Sequence, residues 1–187
     1  MMPFGSLWIP VIVSAIVVFV ASSILHMALK YHKADYKVLT NEDAVREAIS
    51  RGNPSPGIYV TPHCADMKQM KDPAMVDKYV KGPIAIMSIL PKGAPNMGKH
   101  LSLWFGFCVL VSFVAAYVAR HTLTPGADGM LVMRITGTVA FATYALSELS
   151  ASIWKGQPWA NTLRHAVDGL IYALLTGLTF RLMWPGA

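Results

Sequence analysis

The sequence predicts an all-α integral membrane protein with four transmembrane helices and a small cytoplasmic α/β insert between the first two helices. Three observations support this fold class. Hydrophobic residues make up 54% of the 187 residues and charged residues only 14%, whereas an ordinary soluble domain has about 25% charged residues. The hydrophobic residues fall into four long runs. Lysine and arginine are concentrated in the segment between the first run and the second.

Each of the four runs is long enough to cross a bilayer, whose hydrocarbon core of about 30 Å requires about 20 helical residues. The first run lies within residues 1–29, and the others lie at about 101–120, 130–154 and 163–184. The first run has no basic residue before it and is longer than the hydrophobic region of a signal peptide. It is therefore interpreted as a retained transmembrane helix.

The distribution of basic residues predicts the orientation in the membrane. Lysine and arginine are abundant in residues 30–100, whereas the opposite side has only Arg120 and Arg181 near helix ends. Cytoplasmic flanks of membrane helices are enriched in these residues. We therefore expect a bacterial inner-membrane protein with both termini outside and residues 30–100 in the cytoplasm. Cys64 and Cys108 would then be unpaired thiols, in the reducing cytoplasm and the bilayer respectively.

The insert, residues 30–100, has the sequence pattern of a small α/β unit. TNEDAVREAISRG predicts a helix that begins after Thr40 and ends at Gly52. GIYVTP alternates and is rich in β-branched residues, so it predicts a strand. A second helix is expected between Asp72 and Gly82, and PIAIMSILP predicts a second strand. A unit of about 70 residues rarely forms a robust core alone, so we expect it to need support from the membrane helices, another copy or a partner.

The last three hydrophobic runs are expected to pack as antiparallel neighbours, because HTLTPGADG and KGQPW are short connections. In the fourth run, Gly169, Ala173 and Gly177 follow one another at four-residue spacing. Small residues at this interval allow two helix backbones to approach closely in lipid. They predict a helix-packing seam against another helix, either of the same chain or of a partner.

Two carboxylates interrupt the hydrophobic runs, Glu148 in the third and Asp168 in the fourth. The connection between these runs is short, so both carboxylates are expected at a similar depth near the cytoplasmic side. Charged groups in spanning helices face the protein interior or a cavity. The sequence thus predicts an intramembrane polar cluster, consisting of Glu148, Asp168, Arg164, His165, Arg134, Tyr144 and Tyr172.

This cluster allows a structural and a functional interpretation. In the structural one, Glu148 pairs with Lys155 or Arg164, and Asp168 pairs with Arg164 or His165, which fixes helix register. In the functional one, the two carboxylates form a proton or ion pathway. The last three runs contain no internal proline, so the broken helices typical of many transporters are not indicated.

Several histidines and sulfur-containing residues of the sequence are potential metal ligands. His26, His100 and His165 lie at cytoplasmic helix ends and could form a metal or haem site with the two carboxylates. HCADMKQM offers soft ligands that suit copper(I), but methionine also fills irregular cores. Spacing supports neither site, so no cofactor and no metal is predicted. The candidate ligands for such an alternative site are His26, His63, Cys64, Met67 and Met70.

The sequence contains no motif that indicates catalysis, since no glycine-rich phosphate loop, G-x-S-x-G or H-E-x-x-H is present. We therefore expect a non-catalytic accessory, assembly or scaffold component in a homo-oligomer or a larger membrane complex. The alternatives are a small transporter or proton pathway through Glu148 and Asp168, and a metal- or haem-binding membrane protein. The net charge of +6 fits a basic face beside anionic lipid, so the lipid bilayer, and not nucleic acid, is the expected partner.

Overall fold

The computed structural model describes residues 3–186 and is 70% helical. The helices are α1 (Trp8–Ser23), α2 (Glu42–Arg51), α3 (Pro73–Lys81), α4 (Met97–Thr122), α5 (Gly129–Tyr144), α6 (Leu149–Lys155) and α7 (Trp159–Leu182). The strands are β1 (Gly57–Thr61) and β2 (Ala85–Ile89). The chain divides into two compact units: Lys37–Pro95 forms one, and the chain before and after it forms the other, which we call the helical unit.

Three helical stretches of the described residues are long and apolar enough to cross a membrane. They are Gly5–Ala28, Met97–Thr122 and Gly129–Lys155. This composition indicates membrane localisation. The fourth predicted run forms α7, which contains Arg164, Asp168 and Arg181 and is not among these three stretches.

The helical unit is built from α1, α4, α5 and α7. Helix α1 contacts α4 and α7, and α5 contacts α4 and α7, so that the four helices surround a common core. The predicted neighbours α4–α5 and α5–α7 are confirmed, and α5 and α7 share the most extensive contact. One end of the core is formed by Leu7, Val11, Ala116, Ala119, Val132, Phe180 and Trp184. The other end is formed by Ala15, Val18, Cys108, Val111, Ala140, Tyr144, Tyr172 and Ala173.

The small residues Gly169, Ala173 and Gly177 of α7 lie against α5 and its continuation. A Cβ atom added to Gly169 would lie 2.8 Å from the backbone nitrogen and Cα of Ala145. A Cβ atom added to Gly177 would lie 2.8 Å from the carbonyl oxygen of Met133. The seam is therefore used within the chain and gives no support to self-association.

Replacing Gly169 by Ala is expected to lower the free energy of unfolding by about 1–3 kcal/mol, because the new methyl group would force two packed backbones apart. Gly106→Ala in α4 is the matched control, since a Cβ atom there meets nothing within 4 Å. Thermal unfolding of both variants in the same detergent measures the difference. Equal stability of the two variants would show that the seam is not tightly packed.

The third predicted run is not one continuous helix. The absence of proline from this run had indicated an unbroken helix, and that expectation is wrong. Helix α5 ends at Tyr144, a 3₁₀ turn covers Leu146–Glu148, and α6 follows. Two hydroxyl groups beside the interruption bond to the backbone of the preceding turn. The side chain of Thr143 donates to the carbonyl of Val139, and that of Ser147 donates to the carbonyl of Thr143. Such bonds to the preceding turn bend helices.

The C-terminal end of α1 is also irregular. A π-helical turn spans Ile24–Ala28, and a 3₁₀ segment spans Lys30–Asp35. The 3₁₀ segment packs on α7, where the Asn161 side-chain amide donates to the carbonyl of Asp35 at 3.1 Å. Together these turns place polar residues that follow α1 against the start of α7.

The unit Lys37–Pro95 contains α2, β1, α3 and β2 in the predicted order. The strands pair antiparallel, with Gly57 opposite Ile89 and Thr61 opposite Ala85. The Asp72 carboxylate caps α3, as predicted, by accepting from the backbone N–H of Ala74. The expected Thr40 cap is wrong, because α2 begins after Asn41 without a side-chain cap. No residue between Lys37 and Pro95 is buried.

Candidate metal centre

Four side chains of the helical unit converge at the start of α7. They are His26 from the π-helical turn, His32 from the 3₁₀ segment, and His165 and Asp168 from α7. One nitrogen or carboxylate oxygen from each lies within 4.8 Å of those of the others. We call these four residues the metal centre. Their residue types, three imidazoles and one carboxylate, are common ligands of divalent transition metals.

Asp168 is the anionic member of the metal centre, and only 3% of its side chain is exposed. Its Oδ1 atom accepts a hydrogen bond from the Tyr31 hydroxyl. Its Oδ2 atom lies 2.7 Å from His32 Nε2 and 3.9 Å from His26 Nε2. Burial and the adjacent Asp168 carboxylate raise the pKa of the Tyr31 hydroxyl above its ordinary value of 10.0. Tyr31 therefore stays protonated and acts as a donor.

A second carboxylate, Asp35, lies behind the metal centre, with its side chain 5% exposed. Its Oδ2 atom is 2.6 Å from His32 Nδ1, and its Oδ1 atom accepts from Arg164 Nε at 2.6 Å. Burial favours a raised pKa for Asp35, but the hydrogen bonds from His32 and Arg164 outweigh it and hold the pKa below its ordinary 3.8. Asp35 is therefore ionised at neutral pH.

The hydrogen bonds orient two of the imidazole rings. His26 Nδ1 is 3.1 Å from the carbonyl oxygen of Ser22, which can only accept, so Nδ1 carries the proton and Nε2 points to Asp168. His32 likewise directs Nδ1 at Asp35 and Nε2 at Asp168. Metal-binding histidines almost always donate their second ring N–H to a carbonyl or carboxylate in this way.

The charges around the metal centre do not balance when the three imidazoles are neutral. Asp35 and Asp168 contribute two buried negative charges, and Arg164 contributes one positive charge. Buried charges are expensive unless they are compensated. The remaining negative charge requires either a proton on one of the histidines or a bound cation.

The metal centre lies at the wall of a cavity of about 810 Å³ within the helical unit. His26, His165 and Asp168 belong to its lining, whereas the rest of the wall is mostly apolar and aromatic. The aromatic part contains Trp104, Phe107, Tyr144 and Tyr172. The indole of Trp104 donates to Ser22 Oγ at 2.8 Å, which fixes this ring between α1 and α4.

The predicted pairings of the two carboxylates are wrong. Asp168 bonds to Tyr31 and His32, and Arg164 bonds to Asp35 and Asn161. Within residues 3–186, the Glu148 side chain makes no hydrogen bond or ion pair. The reason is that the segment after α1 folds back onto α7 and supplies partners distant in sequence.

The other members of the predicted polar cluster are divided between two places. Glu148, His165, Tyr144 and Tyr172 line the same cavity as Asp168. Arg134 does not; its exposed side chain borders a separate cavity of about 300 Å³ near Met130 and Leu170. The helix interruption after Tyr144 also breaks the regular helical repeat between Arg134 and Glu148.

The sulfur-containing residues of HCADMKQM do not form part of a buried core. The Cys64 thiol donates to the carbonyl of Asp66, and Met67 and Met70 are 78% and 47% exposed. The interpretation of these methionines as core residues is therefore wrong. His63 is exposed, as is His100 at the start of α4, and neither belongs to the metal centre.

Sequence reasoning missed His32, Asp35 and Tyr31. Their run, YHKAD, follows the first hydrophobic run and was interpreted only as part of a basic flank. One signal could have found them. Three potential ligand residues lie within the five positions 31–35, shortly after the first run, and the fourth run also begins with polar residues.

No known protein family, curated protein or solved structure matches this chain. The assignment of a function therefore depends on the geometry of the metal centre and its cavity.

Proposed function

We propose that this chain is a membrane protein that binds one divalent transition-metal ion, such as Zn²⁺ or Fe²⁺, at the metal centre. The observation that supports the proposal is the convergence of four ligand atoms within 4.8 Å from three separate segments, with Asp168 buried, His32 and His165 half-buried and His26 exposed. Ligands of a tetrahedral zinc ion lie about 3.3 Å apart. Small side-chain movements would bring the four ligand atoms to this spacing. The ion would also compensate the excess negative charge of Asp35 and Asp168.

The ion would face the cavity, because three of its four ligands belong to the cavity wall. A divalent metal in such a place can polarise a bound oxygen or lower the pKa of a bound water molecule. Glu148 lies on the same wall and can accept a proton. This arrangement supports metal-dependent chemistry on a molecule held in the cavity.

Metal analysis of purified protein tests the proposal. After loading with Zn²⁺ and extensive dialysis, the protein should retain one ion per chain. His63→Ala is the matched control, since it removes an exposed histidine of the insert and should leave the stoichiometry unchanged. Failure to retain any of Zn²⁺, Fe²⁺ or Mn²⁺ would contradict a metal-binding function and leave a protonated histidine as the compensating charge.

For the topology, we propose that α7 is a fourth span, that both termini lie outside, and that residues 30–100 lie in the cytoplasm of a bacterium. The distribution of lysine and arginine supports this orientation. A membrane-impermeant maleimide should label Cys64 only after the inner membrane of the cells is permeabilised, with Cys64→Ser as the control. Labelling of Cys64 in intact spheroplasts would contradict this orientation and place residues 30–100 outside the cytoplasm.

A role as an accessory or assembly component is the second proposal, and the unit Lys37–Pro95 favours it. No residue of this unit is buried, so it has no core of its own and gains from covering its apolar side chains. Size measurement in mild detergent should show a complex larger than one chain. A solitary monomer without co-purifying protein would contradict this role without affecting the metal proposal.

The proton-pathway alternative gains less support. In the described part of the chain, Asp168 is the only charged residue that is buried as a whole, and the Asp35 side chain beside it is 5% exposed. Beyond the cavity, the opposite end of the core consists of apolar side chains such as Val11, Val132 and Phe180. A relay would need ionisable groups or water to continue through that end.

A further inference from the structure

We propose that the cavity binds a neutral single-chain amphiphile, with a hydroxyl- or carbonyl-bearing head at the metal centre and a hydrocarbon body along the aromatic wall. This inference rests on the proposed function, because the head would lie beside the bound ion. The inference adds to the proposed function the class of molecule on which the metal centre acts.

The apolar part of the cavity suits a hydrocarbon body. Trp104, Phe107, Tyr144 and Tyr172 form a continuous set of rings whose neighbouring centroids are 5.4 to 6.2 Å apart. A volume of about 810 Å³ lies within the range of about 300–1,000 Å³ that is typical of ligand sites. Such sites combine apolar walls with a few polar groups that fix orientation.

The polar end of the cavity has a donor and an acceptor without partners. The Tyr172 residue is 3% exposed, and its hydroxyl has no hydrogen-bond partner among the described residues. The Glu148 carboxylate lines the same cavity and is also without a hydrogen bond or ion pair in residues 3–186. Buried polar groups of native proteins nearly always have a partner, so the buried Tyr172 hydroxyl indicates a bound group, whereas Glu148 is only half-buried. A hydroxyl head can accept from Tyr172 and donate to Glu148, and a carbonyl head can accept from Tyr172.

One packing contact and one helical spacing place Glu148 and Tyr172 near the depth of the metal centre. Gly169, which follows Asp168, packs directly on Ala145, and Glu148 lies three residues beyond Ala145. Tyr172 follows Asp168 by four residues on α7, so the two side chains lie on the same helix face.

The charge balance selects a neutral head. Asp35, Asp168 and Glu148 provide three negative charges, and Arg164 with a divalent ion provides three positive charges. An anionic or cationic head would leave a net charge at this largely apolar site, which is unfavourable. A hydroxyl or carbonyl group adds no charge and can still bind the metal through oxygen.

The cavity has an opening that is accessible to such a molecule. Met27, at the end of the π-helical turn, is 79% exposed, and Met97 and Leu101 of α4 are 64% and 40% exposed. All three belong to the cavity lining. The cavity therefore reaches the surface between the end of α1 and the start of α4, beside a stretch that is apolar enough to cross a membrane.

Photolabelling of the metal-loaded protein in nanodiscs tests the inference. The probe is a monoacylglycerol with a diazirine in its acyl chain, and the readout is label on Tyr172, which is buried from surrounding lipid. Excess 1-monooleoylglycerol tests the hydroxyl head, and excess decyl-ubiquinone tests the carbonyl head. Oleate at the same concentration is the comparison, because its carboxylate head is anionic. At least one of the two neutral competitors should reduce the label on Tyr172 at least five times more strongly than oleate does.

Two matched variants serve as controls. Leu101→Trp places a larger side chain at the cavity wall and should lower the label on Tyr172 at least five-fold. Leu103→Trp makes the same change on the exposed surface of α4, outside the lining, and should leave the label unchanged. Equal labelling of the two variants, or equal competition by oleate, would overturn the inference. Metal content, measured on the same samples, separates this outcome from failure of the metal proposal.

Discussion

Replacing Asp168 by Asn is expected to lower the affinity for Zn²⁺ by more than the roughly 10–100-fold that loss of an outer-shell partner costs. The carboxylate is the only anionic ligand of the metal centre and lies 2.7 Å from His32 Nε2. Asn keeps the shape of the side chain and can still accept from Tyr31, so the change removes charge without creating a void. Competition with a chromophoric chelator measures the affinity.

Glu148→Gln is the matched control for the Asp168 variant. It removes one carboxylate from the same cavity wall but from outside the metal centre. We expect its Zn²⁺ affinity to remain within about three-fold of the parent protein, as befits a residue that is neither a ligand nor a partner of one. If both variants lose affinity equally, the ion is held by the general negative charge of the cavity and not by a defined ligand set.

Replacing Asp35 by Asn should lower the Zn²⁺ affinity by about 10–100-fold while the stoichiometry at saturation stays at one ion. Asp35 accepts from His32 Nδ1 at 2.6 Å and thereby directs Nε2 at the metal position. An amide can hold the ring less firmly, and it leaves Arg164 without its ionic partner.

The control for the Asp35 variant is Asp43→Asn, which removes the same charge from an exposed side chain of α2. Its affinity should not change measurably. Isothermal titration of both variants at the same pH and ionic strength gives affinity and stoichiometry together. An Asp35 variant that binds Zn²⁺ as tightly as the parent would show that His32 is not oriented by this carboxylate or is not a ligand.

The sequence was informative about elements whose formation depends on local pattern. Hydrophobic runs predicted the long helices α1, α4 and α5, and alternation with flanking prolines predicted β1 and β2. The cap by Asp72 was also predictable, because capping depends on a few adjacent residues. The interruption after Tyr144 was not, since no proline marks it and the direction of the nearby serine and threonine side chains cannot be read from the sequence.

The candidate site was predictable only in part. Asp168 stood out as a carboxylate in a hydrophobic run, and His26 and His165 stood out at helix ends. Their assembly depends on a 3₁₀ segment that brings Asp35 to Arg164 across 129 positions in sequence. No periodicity encodes such a contact. The lysines around His32 also favoured the simpler interpretation of this segment as a basic cytoplasmic flank.

A crystal structure of the Zn²⁺-loaded protein, with anomalous data collected at the zinc edge, tests the central claim most directly. We expect one strong anomalous peak about 2.0–2.2 Å from His26 Nε2, His32 Nε2, an imidazole nitrogen of His165 and an Asp168 oxygen. Absence of a peak there, with His32 still bonded directly to Asp35 and Asp168, would contradict the metal centre. It would identify the cluster as a protonated histidine network that joins the segment after α1 to α7.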